Sequence, residues 1–513
     1  MKKLCFLYLL LILFALSFRL FIALHLPNDE PDDGRVYSQI ARNLIEQHVY
    51  SHDNQPPYAP SLIRLPGYPL FLVGVYKIFG TGNNTAVRMV QAVIDTATCV
   101  LIALVVFEWA IVEERKHRAA LIALALAAVC PFTTIYVATI LTEVFTNFLA
   151  VAMVLAATFA FKATTRKRAL IWWIVTGLLA GLAVLFRPDS GLFAAAIGCT
   201  LMLSSLRRIR AAILFAAVFS IAFCLVLVPW TIRNRRVFHV FQPLAPAHAE
   251  MPGEFVPRGY LLWVRTWLDD ERYVGPALWA MDTRRMSIDD FPDSAFDSDE
   301  ERDRVAALLH KYNNPDEEEN AEEQASSDDD DQNQDEEEGS NEEEQPEQPD
   351  ETNVEMTPAI DAGFAQIGQE RVAHSRLRYY VVLPLRRAVT LWFDTHSQYY
   401  PFNGELLPLE DLDYDIHQQY WLPLFTALTW IYTLLGVIGG LLLWRSRDSN
   451  ARRWLLLAVL MIFLRLGFFA TLENPEPRYT VEFFPFLIML AAAGVFAFKA
   501  SVKAMPPDVP MVE

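Results

Sequence analysis

Cysteine is scarce in this chain: five among 513 residues. All of them (Cys5, Cys99, Cys130, Cys199 and Cys224) fall inside apolar runs. An odd number of thiols so placed gives neither a disulfide framework nor a metal-ligand spacing, so they read as small core residues. A glycine-rich phosphate loop is also missing. The stretch "GTGNN" at 80–84 is too weak to count as a nucleotide fingerprint. Positive charge is absent from 313–355, where 21 residues are Asp or Glu and none is Lys or Arg. That block accounts for the formal charge of −18 and leaves the remainder near +3. No basic patch suggests a nucleic-acid partner.

Apolar length is what the chain has in excess. Some 53% of its residues are hydrophobic, and they gather in runs long enough to cross a bilayer. We expect an all-α polytopic membrane protein with about ten spanning helices, near 4–26, 86–111, 119–131 with its continuation, 142–162, 169–186, 188–206, 211–229, 421–444, 454–472 and 480–500. The first run carries Arg19 and lacks a small-x-small cleavage site, so it reads as a retained helix rather than a signal peptide. Basic clusters at Lys2/Lys3, Arg115–Arg118, Arg166–Arg168, Arg207–Arg210, Arg445–Arg453 and Lys499/Lys503 all fall on one side. By the positive-inside rule that side is cytoplasmic, which puts 27–85 and 230–420 outside. The expected organisation is a transmembrane module over 1–229, an extracytoplasmic loop domain over 230–420, and C-terminal membrane helices over 421–513.

The first outer loop carries two short helices. Tyr37, Ile40, Ala41 and Leu44 recur at helical spacing, with Arg35, Ser38, Arg42 and Glu46 opposite, a pattern suited to the membrane interface. Residues 67–79 are apolar but only 13 long, too short to span, so a second interfacial or re-entrant helix is expected. Segment 313–355 has no apolar periodicity and should stay disordered.

Candidate chemistry gathers at the outer edge. Four acids (Asp29, Glu30, Asp32 and Asp33) follow the first apolar run. A carboxylate there, at the start of a helix, can take a proton from an alcohol or orient it, although a solvated loop acid looks the same. Glu143 stands at the outer mouth of another helix. Arg64, Arg187, Arg233 and Arg478 all lie at outer boundaries, where guanidinium groups can hold the phosphate of a lipid whose tail stays in the bilayer. Each alone also fits a snorkelling anchor. Asp95, about eight residues into its helix, raises a transporter or flippase as the alternative.

The ordered stretches "DDGRVYSQIARNL", "RLPGYPLFLVGVYKIFG", "VRMVQ", "TEVF", "RPDSG", "PWTIRN", "LPLRRAVTLWF" and "PRYTVEFFPFLIMLAA" resemble family 39 glycosyltransferases of the GT-C superfamily, which includes protein mannosyltransferases and aminoarabinose transferases. The likeness covers most of the chain outside 313–355. It implies an inverting transfer of sugar from a polyprenyl-phosphate donor to a hydroxyl on a protein, lipid A or glycolipid acceptor. It also implies a plasma (inner) membrane location with the active site facing outward. Asp33 matches the catalytic first-loop acid by its spacing to Tyr37, with Asp32 as its competitor. Glu143 takes the place of the second outer-loop acid, and the four arginines would hold the donor phosphate. Ile63 stands before Arg64, where some aminoarabinose transferases have a metal-binding acid. His48 and His52 lie in a loop, so a divalent metal is not supported and no other cofactor is implied.

Overall fold

A computed structural model describes residues 2–26, 32–246, 248, 250–315, 354–394, 416–446 and 448–502. The acidic stretch 316–353, together with Asp29 and Glu30, lies outside the described residues. What is described is helical, with no strand among those residues. The helices are α1 (Lys2–His25), α2 (Asp32–Glu46), α3 (Gly67–Phe79), α4 (Asn84–Trp109), α5 (Lys116–Ala128), α6 (Pro131–Thr134), α7 (Glu143–Lys162), α8 (Arg166–Phe186), α9 (Gly191–Ser204), α10 (Ile209–Phe238), α11 (Arg258–Arg265), α12 (Asp299–Asn313), α13 (Pro358–His374), α14 (Leu383–Phe393), α15 (Ile416–Arg445), α16 (Ser449–Ala470) and α17 (Phe483–Val502).

Eight of these helical segments are long and apolar enough to cross a membrane, and a ninth span is gained if the bent pair Glu113–Ala128 and Pro131–Ala138 counts as one. The 53° bend comes where Pro131 starts a new turn, since proline has no N–H to continue the preceding ladder. The segment expected to span over 188–206 differs. Its helix α9 has 14 residues, a rise of about 21 Å against a hydrocarbon core of about 30 Å. The 3-10 turns Pro188–Ser190 and Leu206–Arg208 flank it. In contrast, α10 runs past the expected 229 to Phe238 and carries Pro229 inside it.

The chain divides into two compact units. One comprises 1–254, 393–466 and 477–513; the other comprises 255–392 and 467–476. In the first, α1 and α10 turn most of their surface outward, with Phe6, Leu9, Leu13, Phe21, Ile221 and Leu225 exposed, as lipid-facing helices do. The inner stripe of α1 is Ala15, Arg19 and Ala23, one turn apart each. There Arg19 Nε donates to Asp95 of α4 at 2.6 Å, and its other nitrogens donate to the carbonyls of Ala15, Ala127 and Ala128. Helices α15 and α17 close on glycine: a Cβ on Gly494 would lie 2.1 Å from the Gly439 carbonyl oxygen. Small residues are what let membrane helices approach to backbone contact.

The first outer loop departs from an open interfacial layout. Helix α3 is the expected 13-residue apolar helix. Helix α2, however, buries Ser38, which the pattern placed on its polar face, together with Ile40, Ala41 and Asn43. Asn43 donates to the carbonyls of Ser51 and Asp53, both at 2.9 Å, and the hydroxyls of Ser38 and Tyr76 of α3 meet at 3.4 Å. Polar residues on this helix therefore tie the loop together rather than meet solvent. The second unit has its own core, built on Tyr260, Trp263, Trp267, Phe291 and Phe364. In it Arg371 pairs with Glu301 at 2.6 Å.

Candidate functional site

Asp33 sits in the first turn of α2, and its two carboxylate oxygens face two arginines. Arg64 Nη2 donates to Oδ1 at 2.7 Å, and Arg478 Nη2 reaches Oδ2 at 3.5 Å. These residues stand 31 and 445 positions away in sequence. Burial pushes the Asp33 carboxyl up, but the charges of Arg478 and Arg64 outweigh it and hold the group below its ordinary value. One turn on, Tyr37 packs edge-on against Tyr68 at 5.1 Å. Burial and the Asp33 charge push the Tyr37 phenol up to about 12, so it stays protonated. Asp32 begins the same helix.

Glu143 opens α7 and is 1% exposed. Its Oε1 accepts from Arg187 Nη1 at 2.8 Å. Arg187 also meets Asp189 at 3.2 Å, Asp189 meets Arg465 at 2.7 Å, and Arg465 meets Glu482 at 3.2 Å. A chain of alternating charge thus runs Glu143–Arg187–Asp189–Arg465–Glu482 across α7, the 188–190 turn, α16 and the start of α17. Burial disfavours the charged Arg187, yet Asp189 and Glu143 raise its pKa well above the usual arginine value. The Tyr479 ring joins this chain to Asp33, because Arg187 and Arg478 both lie over it, at 5.6 and 5.2 Å.

Accessibility falls along the network. The side chains of Asp33 and Arg64 are 30% and 24% exposed, Arg187 is 13% exposed, and Arg465 and Glu482 are sealed. Asp33 and Arg64 are the network's most exposed side chains. Guanidinium groups there are matched to a phosphate, because the planar fork can donate to two of its tetrahedral oxygens at once, as it does to the two oxygens of a carboxylate.

Four of the five other residues named from sequence therefore gather with Asp33 or with its neighbours: Arg64 and Arg478 on its carboxylate, Arg187 and Glu143 beside it. Arg233 does not. It lies within α10, donates to the Ser61 carbonyl at 2.7 Å, and is caged by Tyr50, Trp230 and Phe238 at about 5 Å. No carboxylate among the described residues pairs with it, and its aromatic cage explains why: the extension of α10 to Phe238 places it inside a packed helix end. Arg465, Glu482 and Asp189 are the members that sequence reading passed over. Arg465 and Glu482 had a signal, a charge within an apolar run, which marks a paired or functional residue. Among the described residues no three His, Cys, Asp or Glu side chains converge.

Residues 59–232 match the family model described as dolichyl-phosphate-mannose-protein mannosyltransferase. That stretch includes Arg64, Glu143 and Arg187. No curated protein sequence matches the chain. Among solved structures, the oligosaccharyltransferase of Archaeoglobus fulgidus, tethered to an acceptor peptide, superposes with a TM-score of 0.50 at 13% identity. The match covers 98% of this chain and 49% of that one. The chain shares the fold of that archaeal structure. It spans about half the length of the archaeal oligosaccharyltransferase it matches. The same archaeal enzyme with an inhibitory peptide and dolichol-phosphate gives 0.48 at 12% identity, covering 98% and 52%. ArnT from Cupriavidus metallidurans bound to undecaprenyl phosphate gives 0.35 at 14% identity, covering 98% and 82%.

Proposed function

We propose that this chain is an inverting glycosyltransferase that moves a sugar from a polyprenyl-phosphate donor to a hydroxyl acceptor on the extracytoplasmic face of the membrane. The observation that carries this reading is Asp33 held between Arg64 and Arg478 at the accessible end of the ion-pair network. The outward orientation rests on the basic loops, which share one side because the short α9 still carries the chain back: α8 and α10 run parallel, with Gly177 against Phe219 and Gly181 against Phe223.

The donor's phosphate would take Arg64 and Arg478 as its counter-ions, in competition with Asp33. Released from that clamp, Asp33 accepts the acceptor's hydroxyl proton. The acceptor oxygen bonds to the anomeric carbon as the bond from that carbon to the phosphate oxygen breaks. The electron pair leaves with the lipid phosphate, and the two arginines stabilise the charge it gains. Arg187, fixed by Glu143 and Asp189, adds positive potential without needing to move. In this reading Arg233 anchors α10 to the outer loop rather than binding phosphate. The acceptor would be a protein, lipid A or another glycolipid.

Asp95 gives the transporter alternative little support. A transport acid should be able to change partners, whereas Arg19 holds Asp95 while its remaining nitrogens are bonded to three backbone carbonyls.

Lipid-phosphate binding tests the reading without a sugar or an acceptor. The purified protein should be stabilised against heat by a polyprenyl phosphate and not by the matching polyprenol. Arg64→Gln or Arg478→Gln should weaken that binding by about 10-fold or more, on the scale of a charge-assisted hydrogen bond. Equal stabilisation by alcohol and phosphate, or unchanged binding in both variants, would refute the phosphate role.

A further inference from the structure

The first turns of α7 hold polar groups that the fold itself does not satisfy. Glu143 uses Oε1 for Arg187, while its Oε2 is buried with no hydrogen-bond partner among the described residues. Asn147 is 1% exposed, and both its side-chain oxygen and its side-chain nitrogen are in the same condition. The two residues are i and i+4 on one helix, so their side chains share a face one turn apart. Their neighbours are accounted for: Thr146 Oγ1 donates back to the Thr142 carbonyl, and Phe145 stacks on Phe186 at 4.6 Å. Buried polar atoms left without partners destabilise a fold, and where a protein tolerates several together a ligand is the usual reason.

We propose that Glu143 and Asn147 form a subsite for hydroxyl groups of the sugar being transferred, an inference that rests on the glycosyl-transfer reading above. The chemistry selects the ligand class. A carboxylate oxygen only accepts, and an amide both donates and accepts. A sugar hydroxyl also does both, so two ring hydroxyls can satisfy all three open atoms. A phosphate cannot, because the free Oε2 of Glu143 would face it with like charge. An apolar chain would leave every one of these atoms unpaired. Arg187 fixes the Glu143 carboxylate through Oε1 and leaves Oε2 available to the sugar. The subsite therefore adjoins the phosphate site and is chemically distinct from it.

Asn147→Leu in the full-length protein separates this role from a structural one. Leucine is of similar volume and removes the unpaired amide, so a residue without a ligand would give neutral or improved stability and unchanged turnover. The expected result is a thermal midpoint equal to or above wild type and wild-type affinity for sugar-free polyprenyl phosphate. With a short-chain polyprenyl-phosphate mannose as probe, kcat/KM should fall by about 10-fold, the upper range of a hydrogen bond between neutral partners. Among its monodeoxy analogues, at least one should be a poor donor for the wild type and suffer no further loss in the variant, because the contact is already gone. Wild-type kcat/KM in Asn147→Leu would overturn the subsite. So would a loss of transfer matched by losses of lipid-phosphate binding and thermal midpoint. Asp33→Asn run in parallel keeps the two claims apart: transfer that depends on Asp33 but not on Asn147 sinks the subsite alone. A wild type that transfers no label from any polyprenyl-phosphate sugar sinks the glycosyl-transfer reading and the subsite with it.

Discussion

Asp33→Asn is expected to lower sugar transfer by about 10²-fold or more, the usual scale for losing a general base. Asparagine keeps the size of the side chain and can still meet a polar partner, but it cannot take the acceptor's proton. Lipid-phosphate binding should survive or tighten, since Arg64 and Arg478 no longer have a carboxylate competing for them. The wild-type pH profile follows from the same contacts. The two arginines depress the Asp33 pKa, so its basic form is present through the neutral range. It is lost only as pH falls through a value below the ordinary aspartate pKa of about 3.9. The acid limb of kcat/KM should accordingly lie below about pH 4 and move upward in Arg478→Gln, where one of the depressing charges is removed. If Asp32→Asn is inactive while Asp33→Asn turns over normally, the base lies one residue earlier.

The largest effect on stability is expected at Arg19. Arg19→Met strands Asp95 as a buried charge without its counter-ion, at a cost of about 3–5 kcal/mol. A lowered thermal midpoint in detergent would record it. The double variant Arg19→Met with Asp95→Leu should recover most of that loss, because an apolar pair of similar volume needs no desolvation of charge. Transfer per folded molecule should then match wild type. A double variant that is stable but inactive would make this pair functional and restore the transporter alternative.

The spans were readable from sequence because run length against bilayer thickness is a local property, and 67–79 was set apart by its 13 residues in the same way. The departures come from packing that sequence spacing does not record. Ser38 read as a polar-face residue yet is buried, and Asn43 is buried beside it because the loop 50–61 supplies carbonyls for it to bond. Residues 188–206 are apolar throughout much of their length, but Arg187, Pro188 and Asp189 belong to the ion-pair turn and shorten the helix to 14 residues. The candidate site was legible as separate charges at one edge of the membrane. That Arg64 and Arg478 share one carboxylate was not, because the pairing spans 445 positions. Arg465 and Glu482 were absorbed into apolar runs, although a charge in such a run needs a partner. The contacts of Arg233 were not legible either, because its helix continues past the expected end to Phe238 and sets aromatic rings around it.

Sugar transfer by the purified protein in liposomes is the most direct measurement. Polyprenyl-phosphate sugars labelled in the sugar would be supplied with a membrane-extract acceptor fraction, following both the label and the lipid phosphate. The expected result is label on the acceptor with an equal amount of sugar-free polyprenyl phosphate released, and neither product with Asp33→Asn. Donor that crosses the bilayer with its sugar–phosphate bond intact, at the same rate in wild type and Asp33→Asn, would contradict it.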